Sequence, residues 1–383
     1  MSGEALLVFD DGLTAYDFGR GHPMSPIRVE LTIKLAREFG VLDQLKIVPA
    51  PTADDALLET VHTAEYVAAV KRAGEYPDDA DPVHGLGTSD TYCFPRMHEV
   101  SAQIAGASVE AARAVWEGDV LHAANIAGGL HHAMPNQASG FCVYNDPAIA
   151  IRWLLEKGAS RVAYVDVDVH HGDGVQAAFF DDPRVLTISL HESGRYLFPG
   201  TGFVDELGTG DAEGTKVNVA LPPFTHDDAY RAAFERVVPR LVESFEPDVL
   251  VTQLGCDTHA TDPLAHFALT TTTYRWLASM FHEMAHAHTG GRWLATGGGG
   301  YQIFAVVPRA WTIYFAELLH ASLPDEVPAG WLARAREEGA DELPVRFDDP
   351  AVIMPEARRA EVTAEAQRAA DETMDRIFPY FGI

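Results

Sequence analysis

The chain has little of what would mark a secreted, membrane or nucleic-acid-binding protein. It holds three cysteines, Cys93, Cys142 and Cys256. None forms a C-x-x-C pair, so neither a disulfide framework nor a thiolate zinc site is indicated. Basic residues are scarce: 28 Lys and Arg stand against 56 Asp and Glu, a formal net charge of -28. Phosphate binding needs basic surface, which argues against a nucleic-acid partner. The same surplus favours solubility and would attract cationic ligands. No apolar run is long enough to span a bilayer, so no membrane partner is expected. The opening residues, Met1-Ser-Gly-Glu-Ala5, lack the basic region of a secretory signal, and a cytoplasmic protein is expected. No low-complexity linker and no internal repeat divides the 383 residues. With 47% hydrophobic and 22% charged residues, the composition is that of a globular protein. The length allows one large α/β domain or two smaller ones.

What is present centres on residues 161–174, which read Arg-Val-Ala-Tyr-Val-Asp-Val-Asp-Val-His-His-Gly-Asp-Gly. With a period of two, Val165, Val167 and Val169 fall on one face of a strand and Asp166, Asp168 and His170 on the other. Burying two carboxylates and an imidazole in a row is costly unless something pairs with them. A divalent metal would do so. Asp168 and His170 are two residues apart and can share one ion.

Apolar runs at 5–9, 46–49, 120–126, 185–190, 217–221, 249–254 and 292–296 read as further strands, with helical patterns between them. Alternating strands and helices imply a mostly parallel sheet covered on both faces. Ser25-Pro26 and Asp146-Pro147 look like helix starts. A helical stretch over 53–73 is expected to break near His62. Residues 356–374 form a charged helical tail with a solvated face.

Polar clusters recur where the strands end: His131-His132, Asp166 to Asp173, Asp257 and Tyr301. The carboxyl ends of parallel strands share one edge, where ligands bind. Asp257 is a plausible third ligand beside Asp168 and His170. Three protein ligands with an open position is the catalytic arrangement for zinc. This oxygen-rich set also admits ferrous iron. His131 and His132 can serve as acid and base. Asp166 and Asp173 can each hold one of them by the second ring nitrogen. Tyr301 follows four glycines, and such a loop can carry a phenol toward a bound carbonyl. A second pattern, His282-Glu-Met-Ala-His286, matches the H-E-x-x-H of zinc peptidases. No third ligand is evident for it, and a histidine-rich helix end is the simpler reading.

Together these residues resemble the zinc-dependent histone deacetylase homologues of the arginase–deacetylase fold, nearest the bacterial acetoin-utilisation deacetylases. The resemblance rests on Gly19-Arg-Gly-His-Pro-Met24, Gly129-Leu-His-His-Ala133, Ser139-Gly-Phe-Cys142, Asn145-Asp146, 166–174, Phe198-Pro-Gly-Thr-Gly202 and Gly297–Tyr301. It implies an open, mostly parallel sheet of about eight strands with helices on both faces. A single catalytic domain would cover residues 1–383, with 325–383 a helical C-terminal extension packed on it or trailing it.

By the same resemblance Asp168, His170 and Asp257 hold zinc. His132 with Asp173 is the general base and proton donor, and His131 with Asp166 its electrostatic partner. Tyr301 donates to the oxyanion. Gly140, Phe141 and Phe198 line a channel for the acyl-lysine stem, and Asp90 holds the substrate backbone at the rim. Potassium is implied at two sites. One uses Asp166, Asp168, His170, Ser189 and Leu190. The other uses backbone oxygens around Phe179, Asp182, Val185 and Thr215. The binuclear arginase branch fits less well. It needs a carboxylate where Gly172 stands and a second Asp where His259 stands, so one catalytic metal is expected. The implied substrate is an acetylated protein or a small acetyl-amine. Acetylpolyamines suit the acidic charge, and a non-catalytic acyl-lysine binder is the remaining alternative. A link to acetoin or acetyl-CoA metabolism rests on the resemblance. No feature of the sequence specifies an oligomeric state.

Overall fold

The computed structural model describes residues 5–383; residues 1–4, most of the opening Met1–Ala5 stretch, lie outside the described residues. In chain order the elements are β1 (Ala5–Val8), α1 (Ile27–Glu38), β2 (Lys46–Val48), α2 (Asp55–Leu58), α3 (Ala64–Glu75), α4 (Met97–Trp116), β3 (His122–Asn125) and α5 (Asp146–Glu156). Then come β4 (Val162–Asp166), α6 (Asp173–Ala178), β5 (Val185–Glu192), β6 (Lys216–Leu221), α7 (Asp227–Phe245), β7 (Val249–Gln253) and α8 (Thr271–His288). The chain closes with β8 (Trp293–Thr296), α9 (Val307–Leu318), α10 (Ala329–Glu337) and α11 (Glu356–Phe381).

Among the described residues eight strands form one sheet in the order β2-β1-β3-β8-β7-β4-β5-β6. Every pairing is parallel. Strands covered on both faces read as continuous apolar runs, and every residue of β4, β5 and β7 is buried. The helices pack in two sets. One joins α3, α4 and α5; the other joins α1, α9, α8, α7 and α11. The small residues of α4 serve close approach: a Cβ on Gly106 would lie 2.1 Å from the Pro51 carbonyl oxygen. The tail helix α11 packs on α7 and β6. It buries Val362, Ala366, Ala370, Ile377 and Phe378 and turns its charges outward. Among the described residues no helix is long and apolar enough to cross a membrane.

Two local readings change. Helix α1 begins after Pro26 without a side-chain cap from Ser25. At α5 the cap is Asn145, whose side chain accepts from the Ala148 N–H. The neighbouring Asp146 carboxylate is turned elsewhere, toward the backbone before His131.

Candidate active site

The four central strands β3, β8, β7 and β4 carry the site at their carboxyl ends, where ligands sit in open parallel sheets. Strand β4 stops at Asp166, paired with Gln253 of β7, so Asp168 and His170 lie beyond it rather than on it. The Asp166 Oδ1 accepts the Asp168 N–H at 3.1 Å, and the Asp168 Oδ1 accepts the His170 N–H at 3.0 Å. Such carboxylate turns compete with the sheet ladder and curl the chain. The alternation still brings both side chains to one point.

That point also receives Asp257, from the end of β7. The His170 Nδ1 lies 3.1 Å from Asp168 Oδ1 and 3.0 Å from Asp257 Oδ2. All three residues are buried. Burial and the Asp168 carboxylate push Asp257 up to about 8. One ring nitrogen carries at most one proton, yet this one faces two carboxylates. A divalent cation answers that arrangement better than a proton does. The space around the carboxylates is kept by glycine: a Cβ on Gly255 would lie 2.1 Å from Asp168 Oδ2, and one on Gly299 2.0 Å from Asp257 Oδ2. The remaining oxygens are held by the protein. Gln253 Nε2 and the Gly299 N–H each donate to Asp168 Oδ2 at 2.7 Å, and the Val169 N–H donates to Asp257 Oδ1 at 2.8 Å. The donor set fits a single zinc-type ion.

Beside this cluster His131 and His132 stand with their Nε2 atoms 3.0 Å apart. Each is anchored at Nδ1: His131 to Asp166 Oδ2 at 2.7 Å, His132 to Asp173 Oδ1 at 2.6 Å. The two anchors are not equivalent. Burial opposes charge on His131, but Asp166 and Asp168 outweigh it and push the imidazole up to about 9. Burial and the adjacent His131 hold His132 below its ordinary value, against the pull of Asp173. The pair therefore favours a protonated His131 and a neutral His132. Their backbone is set by Asp146, which accepts the N–H groups of Gly129 and Leu130 at 3.1 and 2.9 Å. Tyr164 donates to Asp166 Oδ2 at 2.6 Å.

Tyr301 shares one narrow cavity with His131, His132, Asp168 and His170. Its ring meets Phe141 edge-on, with centroids 5.7 Å apart. Burial, Asp257 and Asp168 raise the phenol well above its ordinary value, so it stays a donor. Two groups hold the loop beneath it. The Asp262 carboxylate accepts the Tyr301 N–H at 2.8 Å, and Arg28 Nη1 donates to the Gly298 and Gly300 carbonyls at 3.1 Å each. Arg28, Gln253 and Asp262 have no role in the sequence reading, and Asp146 enters it only as a helix start and part of a matching motif. For Arg28 a signal existed: a cation on the face of α1 that also carries Leu31 and Leu35.

At the mouth, Asp90 Oδ2 accepts the Gly140 N–H at 2.7 Å, so the rim carboxylate is tied to the channel wall. Gly140 has φ +54, and a Cβ there would lie 2.3 Å from His132 Cδ2. Phe198 is 44% exposed, with its ring edge-on to His132 at 5.0 Å. Phe141 and Phe198 thus stand beside Tyr301 and His132 respectively.

The monovalent sites divide. Asp166 and Ser189 are register partners on β4 and β5, and Asp168, His170 and Leu190 are buried with them. At the other set the oxygens are already engaged. Lys216, buried at the start of β6, donates through Nζ to the Val185 carbonyl at 2.6 Å and the Thr215 hydroxyl at 2.8 Å. The Asp182 carbonyl lies at 3.4 Å, and the Phe179 carbonyl accepts the Asp182 N–H at 3.0 Å. Lys216 Nζ thus stands among the oxygens to which the resemblance assigns potassium, and burial pulls its amine down to about 7.

His282 and His286 lie on α8, whose carboxyl end sits by the amino-terminal ends of the strands. There they do have a third imidazole beside them, His122, which the sequence reading did not supply. Asp257's neighbour His259 is committed to Asp349, at 3.0 Å.

The chain matches the histone deacetylase domain over residues 22–318. It belongs to the histone deacetylase family. Over 374 residues it is 40% identical to the acetoin utilization protein AcuC of Bacillus subtilis, covering 97% of each chain. To AcuC of Staphylococcus xylosus it is 35% identical over 371 residues, 96% of each. Among solved structures, an HDAC homologue from Aquifex aeolicus superposes with a TM-score of 0.84 at 29% identity, covering 96% of this chain and 100% of that one. An HDAC homologue complexed with SAHA gives 0.83 at 29% identity, covering 97% and 100%. The expected arginase–deacetylase architecture stands.

Proposed function

We propose that this chain is a zinc-dependent deacetylase that hydrolyses the acetyl amide of N-ε-acetyl-lysine in proteins and releases acetate. One observation carries the reading. A buried Asp-His-Asp cluster, an asymmetric pair of anchored histidines and a phenol surround one narrow cavity.

Zinc held by Asp168, His170 and Asp257 would polarise the acetyl carbonyl and acidify the attacking water. His132, the neutral member of the pair, takes the proton from that water as its oxygen bonds to the carbonyl carbon. Asp173 fixes the His132 tautomer and steadies the imidazolium that forms. His131, charged and held by Asp166, keeps His132 from being protonated beforehand. Tyr301 donates to the oxyanion. His132 then passes its proton to the nitrogen as the C–N bond breaks, leaving acetate and a free amine. Gly140, Phe141 and Phe198 flank the aliphatic stem, and Asp90 meets the substrate backbone at the rim.

In the same reading potassium occupies the Asp166, Asp168, His170, Ser189 and Leu190 site. At the second site Lys216 takes its place. The protein acts in the cytoplasm, and the AcuC relatives suggest a link to acetoin use.

Acetate release from acetyl-lysine peptides and from acetylated polyamines, assayed in parallel with zinc analysis, tests the proposal. Turnover of the peptides with one zinc at the Asp168 site is expected. Turnover of polyamines alone would reassign the substrate, and binding without acetate release would refute catalysis. His132→Ala should lower kcat by roughly 10²–10⁴-fold with the zinc retained. Zinc lost in proportion to activity would refute the role given to His132.

A further inference from the structure

At the other end of the sheet three imidazoles converge. His122 opens β3, and His282 and His286 lie one turn apart near the end of α8. Their ring centroids are 4.8 Å (His122–His282), 5.2 Å (His122–His286) and 4.7 Å (His282–His286) apart. One nitrogen from each lies within 4.8 Å of the other two.

The tautomers are fixed by backbone. His122 Nδ1 stands 2.7 Å from the Leu318 carbonyl, which can only accept, so Nδ1 carries the proton and Nε2 a lone pair. His282 Nδ1 stands 2.9 Å from the Glu317 carbonyl and is fixed in the same way. Metal-binding histidines commonly donate their other ring nitrogen to just such a carbonyl. His122 is 2% exposed, and its Nε2 has no hydrogen-bond partner among the described residues. A buried polar atom without a partner is rare and costly. A second grouping, His282 with Glu317 and His320, would compete for His282. The Glu317 carbonyl commits the His282 Nδ1 proton and so favours the partnership with His122.

We propose that His122, His282 and His286 form a second transition-metal site, taking zinc or a similar imidazole-preferring divalent ion, separate from the catalytic cluster. Three imidazoles suit zinc, with a fourth position open on the exposed His286 side. The site lies at the amino-terminal ends of the strands, about 10 Å along β3 from its carboxyl end. An ion there would clip β3 to the carboxyl end of α8, beside the Glu317 and Leu318 carbonyls that end α9. Its role is structural. Glu283, the acid of the H-E-x-x-H pattern, is exposed and accepts from Ser279 Oγ at 3.4 Å instead.

The test measures zinc per chain in the full-length protein after equilibration with zinc and removal of the excess. His286→Gln changes an exposed residue, and His282→Asn/His286→Gln removes two of the three ligands. Wild type is expected to hold one zinc equivalent more than the double variant, with deacetylase activity equal in both. Added zinc should raise the Tm of wild type and not of the double variant. Equal zinc content in the two proteins overturns the proposal, whatever the occupancy of the catalytic site. So does an unchanged Tm response. His286→Gln alone should weaken the extra equivalent, and undiminished binding in it and in the double variant would also count against the site.

Discussion

The Lys216 Nζ lies 2.6 Å from the Val185 carbonyl oxygen, within the ring of backbone oxygens where the family resemblance implies potassium. Its Nζ donors pair oxygens that would otherwise be left for a dissolved ion. Replacing it with Lys216→Ser should leave buried carbonyls unpaired and destabilise the protein by about 1–3 kcal/mol. Potassium chloride should restore part of that loss. Thermal melts in potassium and in choline chloride check this: the variant should gain a potassium-dependent rise in Tm that exceeds any in wild type.

Gly299 stands where a Cβ would meet Asp257 Oδ2 at 2.0 Å. Gly299→Ala should push that ligand off position and lower zinc affinity at least about tenfold, as other losses of ligand support do. Competition with a chromogenic chelator reads this directly, and the far-UV spectrum should not change.

Arg28 touches no reacting atom. It pins the Gly298 and Gly300 carbonyls below Tyr301. Arg28→Met should lower kcat by roughly tenfold, less than the 10²–10³-fold loss typical of deleting a direct oxyanion donor. The KM should barely move. In a Tyr301→Phe background the same change should cost little more, because the phenol it positions is gone. A full additional loss would show that Arg28 acts otherwise.

Asp349 joins the C-terminal region to the body. It meets Arg309 at 2.9 Å and His259 at 3.0 Å, and accepts the Thr271 N–H at 3.2 Å. Burial opposes its charge, but His259 and Arg309 outweigh it and hold the carboxyl well below its usual range. The folded value lies below the unfolded one of about 3.9. Its contribution is therefore fully present above that value and fades as pH falls through it toward the folded value. The Tm difference between wild type and Asp349→Asn should be constant from neutrality to about pH 5 and shrink below about pH 4. A difference that grows on acidification would reverse the assignment.

Much of this protein was legible in its order of residues. Alternating apolar runs specified a parallel α/β sheet, because strands buried on both faces admit few polar residues. The period-two polar run placed Asp168 and His170 together, and the helical pattern broke where expected, between α2 and α3. The start of α5 was misread because Asn145 and Asp146 are both good caps, and only the Gly129 and Leu130 N–H groups settle which one turns away.

What only the tertiary structure decided is which remote groups meet. Arg28 reaches residues some 270 positions away, Lys216 takes up the oxygens of the 182–185 turn, and His122 completes a trio begun on α8. Local sequence constrains backbone torsions and faces. Contacts across the sheet depend on strand order, and no short-range pattern encodes that the end of β3 lies beside those of β8, β7 and β4.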